Sequence, residues 1–477
     1  MSDIYRPAFH FTPTAQWMND PNGLVYYDGE YHLFYQYHPH SDVWGPMHWG
    51  HAVSTDLLHW EHLPIALYPD EHGMIFSGSA VVDVENTAGF GMNALVAIFT
   101  YNRDYKESQN LAYSTDSGRT WIKYAGNPVI PPPNPLRDFR DPKVFRHEDR
   151  WVMSLAAGNS VEFFTSPDLK NWEQSGTFGG GDHGSTVGVW ETPDLFKLTV
   201  ASTNQSRWVL TVGVGNGGPA GGSGTQYFIG DFDGRTFVSE NPKETVLWAD
   251  HGADYYAPQS WSNEPGGRRI MLGWMSNWQY AREVPSNGWR GIFNLPREVS
   301  LIETKGGLRL GHRPIPELRS LRSDLFHCEE RLIRPGEDPL NGLQADVVEI
   351  EAEIQIQPST ESFGFHLRKG GEERTTLSVD ARSHEIFLDR SHSGQSGFHE
   401  NFPSRHAAAL DTAQGTILLH IFLDRCSVEV FANNGLTCLS DLIYPSAESL
   451  GLEFFTTGGG VHIRSLDIYR MAETKTH

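Results

Sequence analysis

Three acidic residues in this 477-residue chain stand where the backbone must hold them still. Asp20 lies in Trp17-Met18-Asn19-Asp20-Pro21-Asn22-Gly23. Pro21 fixes its own φ and biases Asp20 towards extended backbone, and Asn22-Gly23 reads as a tight turn. Asp141 lies in Phe139-Arg140-Asp141-Pro142, again directly before a proline. Glu191 follows an aromatic residue in Trp190-Glu191-Thr192-Pro193-Asp194. A carboxyl group that is aimed rather than free can act as a nucleophile, as a proton donor or acceptor, or as a partner for developing positive charge. Singly, such a stretch also fits a surface turn that its acid caps.

The elements that must bring these acids together are strands. Helical periodicity is almost absent, and short alternating runs dominate, such as Tyr31-His32-Leu33-Phe34-Tyr35 and Ala94-Leu95-Val96-Ala97-Ile98-Phe99. A repeat runs from Ser54 to Phe237. Its copies are Ser54-Thr55-Asp56-Leu57-Leu58-His59-Trp60, Ser114-Thr115-Asp116-Ser117-Gly118-Arg119-Thr120-Trp121 and Ser166-Pro167-Asp168-Leu169-Lys170-Asn171-Trp172, with a looser fourth from Gly230 to Phe237. The spacing is roughly that of one four-stranded propeller blade, and each copy reads as a turn between outer strands. Polar stretches precede the copies: Asn19-Asp20, Phe76-Ser77-Gly78-Ser79, Arg140-Asp141 and Trp190-Glu191. A fifth candidate is Asp254-Tyr255-Tyr256-Ala257. Inner strands of successive blades converge on the propeller axis, so acids over a hundred positions apart can share one pocket. The expected fold is all-β: a five-bladed β-propeller over 1–310, a linker over 311–325 carrying Pro314 and Pro316 with a short helix from Glu317 to Leu325, and a β-sandwich over 326–477. No reactive cluster stands out in the sandwich.

Composition narrows the partners. The net charge of −22, from 59 acidic and 37 basic residues, disfavours nucleic acid and anionic membranes and suits a neutral substrate. Aromatic residues reach 12%, with 14 Trp, enough to pack sheets and to stack on sugar rings. Cys328, Cys426 and Cys438 form no metal-type pair, and no apolar run approaches the length of a membrane span. Met1 to Thr12 lacks the basic and apolar regions of a signal peptide, so a cytoplasmic protein is expected as the chain stands, or a secreted one if a leader was trimmed. His38-Pro39-His40 and His48-Trp49-Gly50-His51 lack partners for a metal, and no metal or cofactor is expected. Gly215 to Gly222 lacks the Lys-Ser/Thr ending of a phosphate loop and reads as a loop at a pocket rim.

Together the three acidic stretches resemble glycoside hydrolase family 32, the family of invertases, exo-inulinases and levanases. The first motif is matched in full at Trp17 to Gly23 and the Arg-Asp-Pro motif at Arg140 to Pro142, while Thr192 replaces the Cys of the usual Trp-Glu-Cys-Pro. Phe76 to Ser79 and Ser276-Asn277-Trp278-Gln279-Tyr280 extend the likeness along nearly the whole chain. The resemblance implies the same five-bladed propeller and C-terminal sandwich, and a retaining exo-β-fructosidase acting on inulin, levan and sucrose. It makes Asp20 the nucleophile, Glu191 the acid/base and Asp141 the acid that stabilises the fructosyl cation. Arg140 would keep Asp141 ionised. A charged Asp20 and a wall of Trp would favour the proton on Glu191. Tyr256 could hydrogen-bond Glu191, and the Thr192 hydroxyl could replace the Cys as a hydrogen-bonding group. Fructose recognition would fall to Asn19, Gln36, Trp44, Phe76, Ser77 and Arg140, with Trp274 preferred over Trp278 for the pocket. Asp250 matches a segment associated with choosing sucrose over longer fructans. An oligomer could form through the sandwich.

Three other readings bear on the same residues. The second repeat has the Asp-box form of sialidases, but the arginine cluster and Tyr-Glu pair of a sialidase are missing. A non-catalytic fructan-binding lectin would tolerate loss of a carboxylate, and none is lost. A fructosyltransferase shares the covalent intermediate and differs in what enters the acceptor site.

Overall fold

The computed structural model describes residues 3–285 and 287–474; the outermost residues of both expected domains, and the start of the N-terminal stretch read above, lie outside them. Among the described residues, five antiparallel sheets occupy the chain up to Pro314. Their first strands are Gln16–Tyr27, Met74–Asp83, Phe139–His147, Trp190–Thr199 and Tyr256–Ser260. Each packs against the next, and the fifth packs against the first, so the five close a ring. The closure is also hydrogen-bonded: Trp289–Arg290, which lies between strands of the fifth sheet, pairs in parallel with Gln16 and Trp17 of the first.

The repeats occupy the turns between third and fourth strands. Copy one joins His48–Ser54 to Glu61–Leu67, and the others take the same place in the next three sheets. In each, a short polar side chain replaces missing ladder bonds. Oδ1 of Asp56 accepts the backbone N–H groups of Leu58 and His59 at 2.9 and 2.8 Å, and Asp168 does the same for Lys170 and Asn171. The tryptophan that ends each of the first three copies returns its indole N–H to a carbonyl of the turn: Trp60 to Leu57, Trp121 to Gly118 and Trp172 to Leu169. Such Asx turns hold the outer hairpins together with buried turn residues such as Leu57, Trp60 and Leu169.

The first strands share a second feature, and it positions the site. In every one, two residues oppose a single residue of the second strand. Asn19-Asp20 face Gln36, Phe76-Ser77 face Thr100, Asp141-Pro142 face Leu155, Thr192-Pro193 face Val212, and Ala257-Pro258 face Gly273. Proline cannot donate to a ladder, so in sheets it sits on edge strands or at such bulges, and four of these first strands are the edges of their sheets. Asp141, Thr192 and Ala257, each directly before its proline, take φ of +66°, +48° and +50°. The left-handed residue turns the chain, and the side chains around it point to the ring's centre rather than across the sheet.

A 3₁₀ turn, Pro316–Leu321, follows the last propeller-side strand, and two facing sheets of seven and five strands fill the rest of the described chain. They enclose an apolar core that includes Ile350, Phe363, Leu388, Ile421 and Ile468. The helix expected from Glu317 to Leu325 is thus shorter: from Arg322 the chain pairs with the Val461–Met471 strand, whose ladder outweighs one more helical turn. The two halves meet through buried ion pairs. His10 lies between Asp424 and Glu429 at 2.8 and 3.0 Å, Arg297 bonds Asp250 and Glu429, and Arg390 bonds Asp254.

Candidate active site

The bulges of four neighbouring sheets deliver Asn19, Asp20, Phe76, Ser77, Arg140, Asp141 and Glu191 to one cavity of about 700 Å³. Gln36 from a second strand and Trp44 from the loop after it complete the wall. No lining residue comes from beyond Arg282, so the sandwich contributes none among those described.

Asp20 is fixed from two sides. The amide of Asn19 donates to Oδ1 at 3.0 Å and the hydroxyl of Ser77 to Oδ2 at 2.8 Å. Asn19 is itself oriented, since its Oδ1 accepts the Trp17 indole N–H at 2.7 Å. Burial pushes the Asp20 carboxyl up to about 6, against those two hydrogen bonds, and the charge of Glu191 adds to the rise. Gln36 is held by its donation to Asn22 at 2.8 Å.

Arg140 ties three carboxylates together. Its Nε donates to Oε1 of Glu191 at 3.1 Å, and its Nη1 to Glu107 at 2.9 Å and to Asp138 at 2.7 Å. Arg140 favours the charged form of Asp141, as their adjacency implies, but other influences oppose it. Asp141 accepts the backbone N–H of Thr192 at 2.9 Å, and burial, joined by the charges of Glu191 and Asp20, keeps its carboxyl well above the usual range despite Arg140. The Thr192 hydroxyl finds no partner among the described residues. What reaches Asp141 is the Thr192 main chain, which any side chain supplies, and this accounts for Thr standing where Cys is usual.

Glu191 receives a second hydrogen bond at Oε2, from the Tyr256 hydroxyl. Burial and the neighbouring carboxylates hold that phenol well above its ordinary range, so it stays a donor. Gly215, at one end of the glycine-rich loop, passes close enough that a Cβ there would lie 3.6 Å from Glu191 Oε2.

Two expected pocket residues lie elsewhere. Asp250, 3% exposed, is spent on the domain boundary: it accepts from Arg297 at 2.9 Å, from the Ser440 hydroxyl at 2.7 Å, and from the N–H groups of Gly252 and Ser440. Trp274, 1% exposed, sits behind the wall, packed against Trp17 and Trp278. The ring that lines the cavity is Trp278, stacked on Trp17 with centroids 6.1 Å apart. Glu107, Asp138, Asn102, Tyr105 and Arg137 also line the cavity and had not been singled out. Asp138 could have been found by its place two residues before Arg140; Glu107 carries no motif.

Among the described residues, the group spaced for a metal is Glu349, Glu351 and His420, far along the chain in the sandwich, and Arg322 already bonds both glutamates. Of the histidines in the two His-rich stretches, His51 bonds His32 at 3.0 Å and stacks on Phe34.

Comparison with known proteins shows the family. The model of the glycosyl hydrolases family 32 N-terminal domain matches residues 10–314, and that of the family's C-terminal domain matches 317–470. A levanase of Bacillus subtilis (strain 168) is 52% identical over 476 residues, 98% of this chain and 70% of that protein. A levanase of Bacillus sp. (strain L7) is 42% identical over 493 residues, and there the chain spans about half of the relative, 52%. The crystal structure of an exo-inulinase from Aspergillus awamori superimposes with a TM-score of 0.93 at 36% identity, covering 99% of each chain. Matched from one motif to the next across both halves, the chain belongs to glycosyl hydrolases family 32.

Proposed function

We propose that this protein is a retaining, exo-acting β-fructosidase that releases terminal fructose from levan- and inulin-type fructans and from sucrose. The observation that carries the reading is the meeting of Asp20, Asp141 and Glu191, from three different sheets, in one cavity with Arg140 between them. The relatives named levanase and exo-inulinase supply the substrate class. We also read the five sheets as blades of a five-bladed propeller spanning residues 1–310, joined through 311–325 to a sandwich over 326–477.

In this reading the terminal fructosyl ring enters the cavity with its anomeric carbon facing Asp20. Oδ1 and Oδ2 are already engaged by Asn19 and Ser77, so the carboxylate attacks from a fixed position. Glu191 gives a proton to the departing oxygen, the bond to the leaving sugar breaks, and a covalent fructosyl ester forms on Asp20. Glu191 then takes a proton from water, which attacks the same carbon and frees Asp20. Asp141, deep in the pocket, accepts fructosyl hydroxyls and faces the positive charge that builds on the ring. Trp44 and Trp278 wall the sugar.

Asp20→Ala and Glu191→Ala separate the roles. Asp20→Ala should lose all turnover. Glu191→Ala should lose natural substrates, keep slow attack on a fructoside with a good leaving group, and yield β-fructosyl azide when azide is added. Wild-type-like activity in both variants would place the chemistry elsewhere.

A further inference from the structure

The strands Ala94–Arg103 and Lys106–Ser114 are joined by two residues, Asp104 and Tyr105, with φ of +53° and +62°. Positive φ at both centres is the geometry of a type I′ hairpin turn, which favours Asn-Gly and penalises a bulky L residue by roughly 1 kcal/mol. Tyr105 is nonetheless the residue there. Its side chain is 86% exposed, the most exposed large hydrophobic among the described residues, so it packs no core. It lines the catalytic cavity, together with Leu136, itself 52% exposed. Neither stability nor turn chemistry explains an aromatic ring at this tip.

The stem of the same hairpin explains where the ring is held. Glu107, two residues beyond the tip, grips Arg140 through both its oxygens at 2.9 and 3.1 Å, and accepts the Phe139 N–H at 2.6 Å. Asn102, on the other side of the tip, donates to Glu107 at 3.0 Å. Arg103 and Lys106 pair across the ladder, which runs unbroken to the turn. The tip is thus tied rigidly to the residues around Glu191, the side of the pocket where the leaving group departs.

We infer that Tyr105 is a stacking platform for the second or a later fructosyl unit of a fructan chain, and so sets preference for long substrates over sucrose. The inference rests on the proposed fructosidase reading. The flat apolar face of a furanose ring meets the face of the phenol, and the strained turn presents that face at fixed height.

The test compares Tyr105→Gly, Tyr105→Ala and Tyr105→Trp with the wild type on levan, inulin, sucrose and a chromogenic fructoside. Glycine suits the positive φ, so Tyr105→Gly should fold with an unchanged or raised Tm. For Gly and Ala variants, kcat/KM on the fructans should fall by about three- to tenfold through KM, while sucrose and the chromogenic substrate stay within about twofold. Tyr105→Trp should restore the fructan values. Equal losses on every substrate, or none on any, would overturn the platform while leaving the fructosidase intact. A wild type that turns over no fructoside would instead remove the proposed function beneath it.

Discussion

Tyr256 donates its hydroxyl hydrogen bond to Oε2 of Glu191, and the two residues occupy equivalent places in neighbouring sheets. Each is the last residue paired before a bulge whose left-handed residue precedes a proline. The bulges therefore do more than bend two strands. They set a donor and its acceptor at matching depth on the axis of the ring. Tyr256→Phe keeps the ring and removes only the donor. If Glu191 protonates the leaving group, as proposed, natural fructosides should lose about tenfold in kcat with little change in KM. A fructoside with a good leaving group should lose much less. Equal effects on both substrates would assign Tyr256 a packing role only.

Asp20 gives a pH dependence of defined sign. In the proposed mechanism it attacks only when ionised, and burial pushes its carboxyl up to about 6. Below that, kcat/KM should fall about tenfold per pH unit. The same shift bears on stability. The fold favours protonated Asp20, so below the ordinary value of 3.8 folded and unfolded chains are both protonated and nothing is lost. Above about 6 both are ionised and the folded chain carries the full cost of burying the charge. Asp20→Asn should therefore be inactive yet more stable at pH 7, by about 1–2 kcal/mol once solvent screening of a half-buried group is allowed for. At pH 3 the gain should vanish. Denaturant unfolding at both pH values decides it, and a variant less stable at pH 7 would mean that the Asn19 and Ser77 hydrogen bonds outweigh desolvation.

The parts of the fold legible in the sequence were those written in local chemistry. The Ser-x-Asp turns announce themselves because one carboxylate must replace several ladder bonds. The prolines after Asp20, Asp141 and Thr192 lie in or directly beside bulges, because proline cannot donate to a regular ladder. What the sequence hid was set by partners distant in the chain. Trp274 and Trp278 are four positions apart, and only the path after the Ile270–Trp274 strand decides which ring faces the cavity. Glu107 matters through Arg140, on another sheet. Asp250 is expected in the pocket from its match to a family segment, and its two strong partners, Arg297 and Ser440, lie outside any motif.

That placement of Asp250 has its own consequence. Asp250→Ala leaves buried Arg297 with Glu429 as its remaining carboxylate and strips acceptors from two backbone N–H groups. Unfolding free energy should drop by about 3–5 kcal/mol. The ratio of kcat/KM for sucrose over inulin should not move in whatever fraction stays folded. A changed ratio with unchanged stability would return Asp250 to the substrate.

His10 fastens the start of the chain to the sandwich, and it should loosen with rising pH. Its ring is almost fully buried, which alone would disfavour the charged form, but Asp424 and Glu429 each meet one ring nitrogen and raise it to about 9. The folded chain thus favours the imidazolium that the unfolded chain loses near 6.5. The stabilisation is complete below 6.5 and is lost as pH rises through about 9. His10→Gln can bond both carboxylates but carries no charge. Against the wild type it should be less stable by about 3 kcal/mol at pH 6, and by under about 1 kcal/mol at pH 10. Urea midpoints at pH 6, 8 and 10 give the difference directly, since other titrating groups act on both proteins alike. A gap that stays constant across the three pH values would show that His10 acts by shape and hydrogen bonding, with its charge playing no part at the boundary.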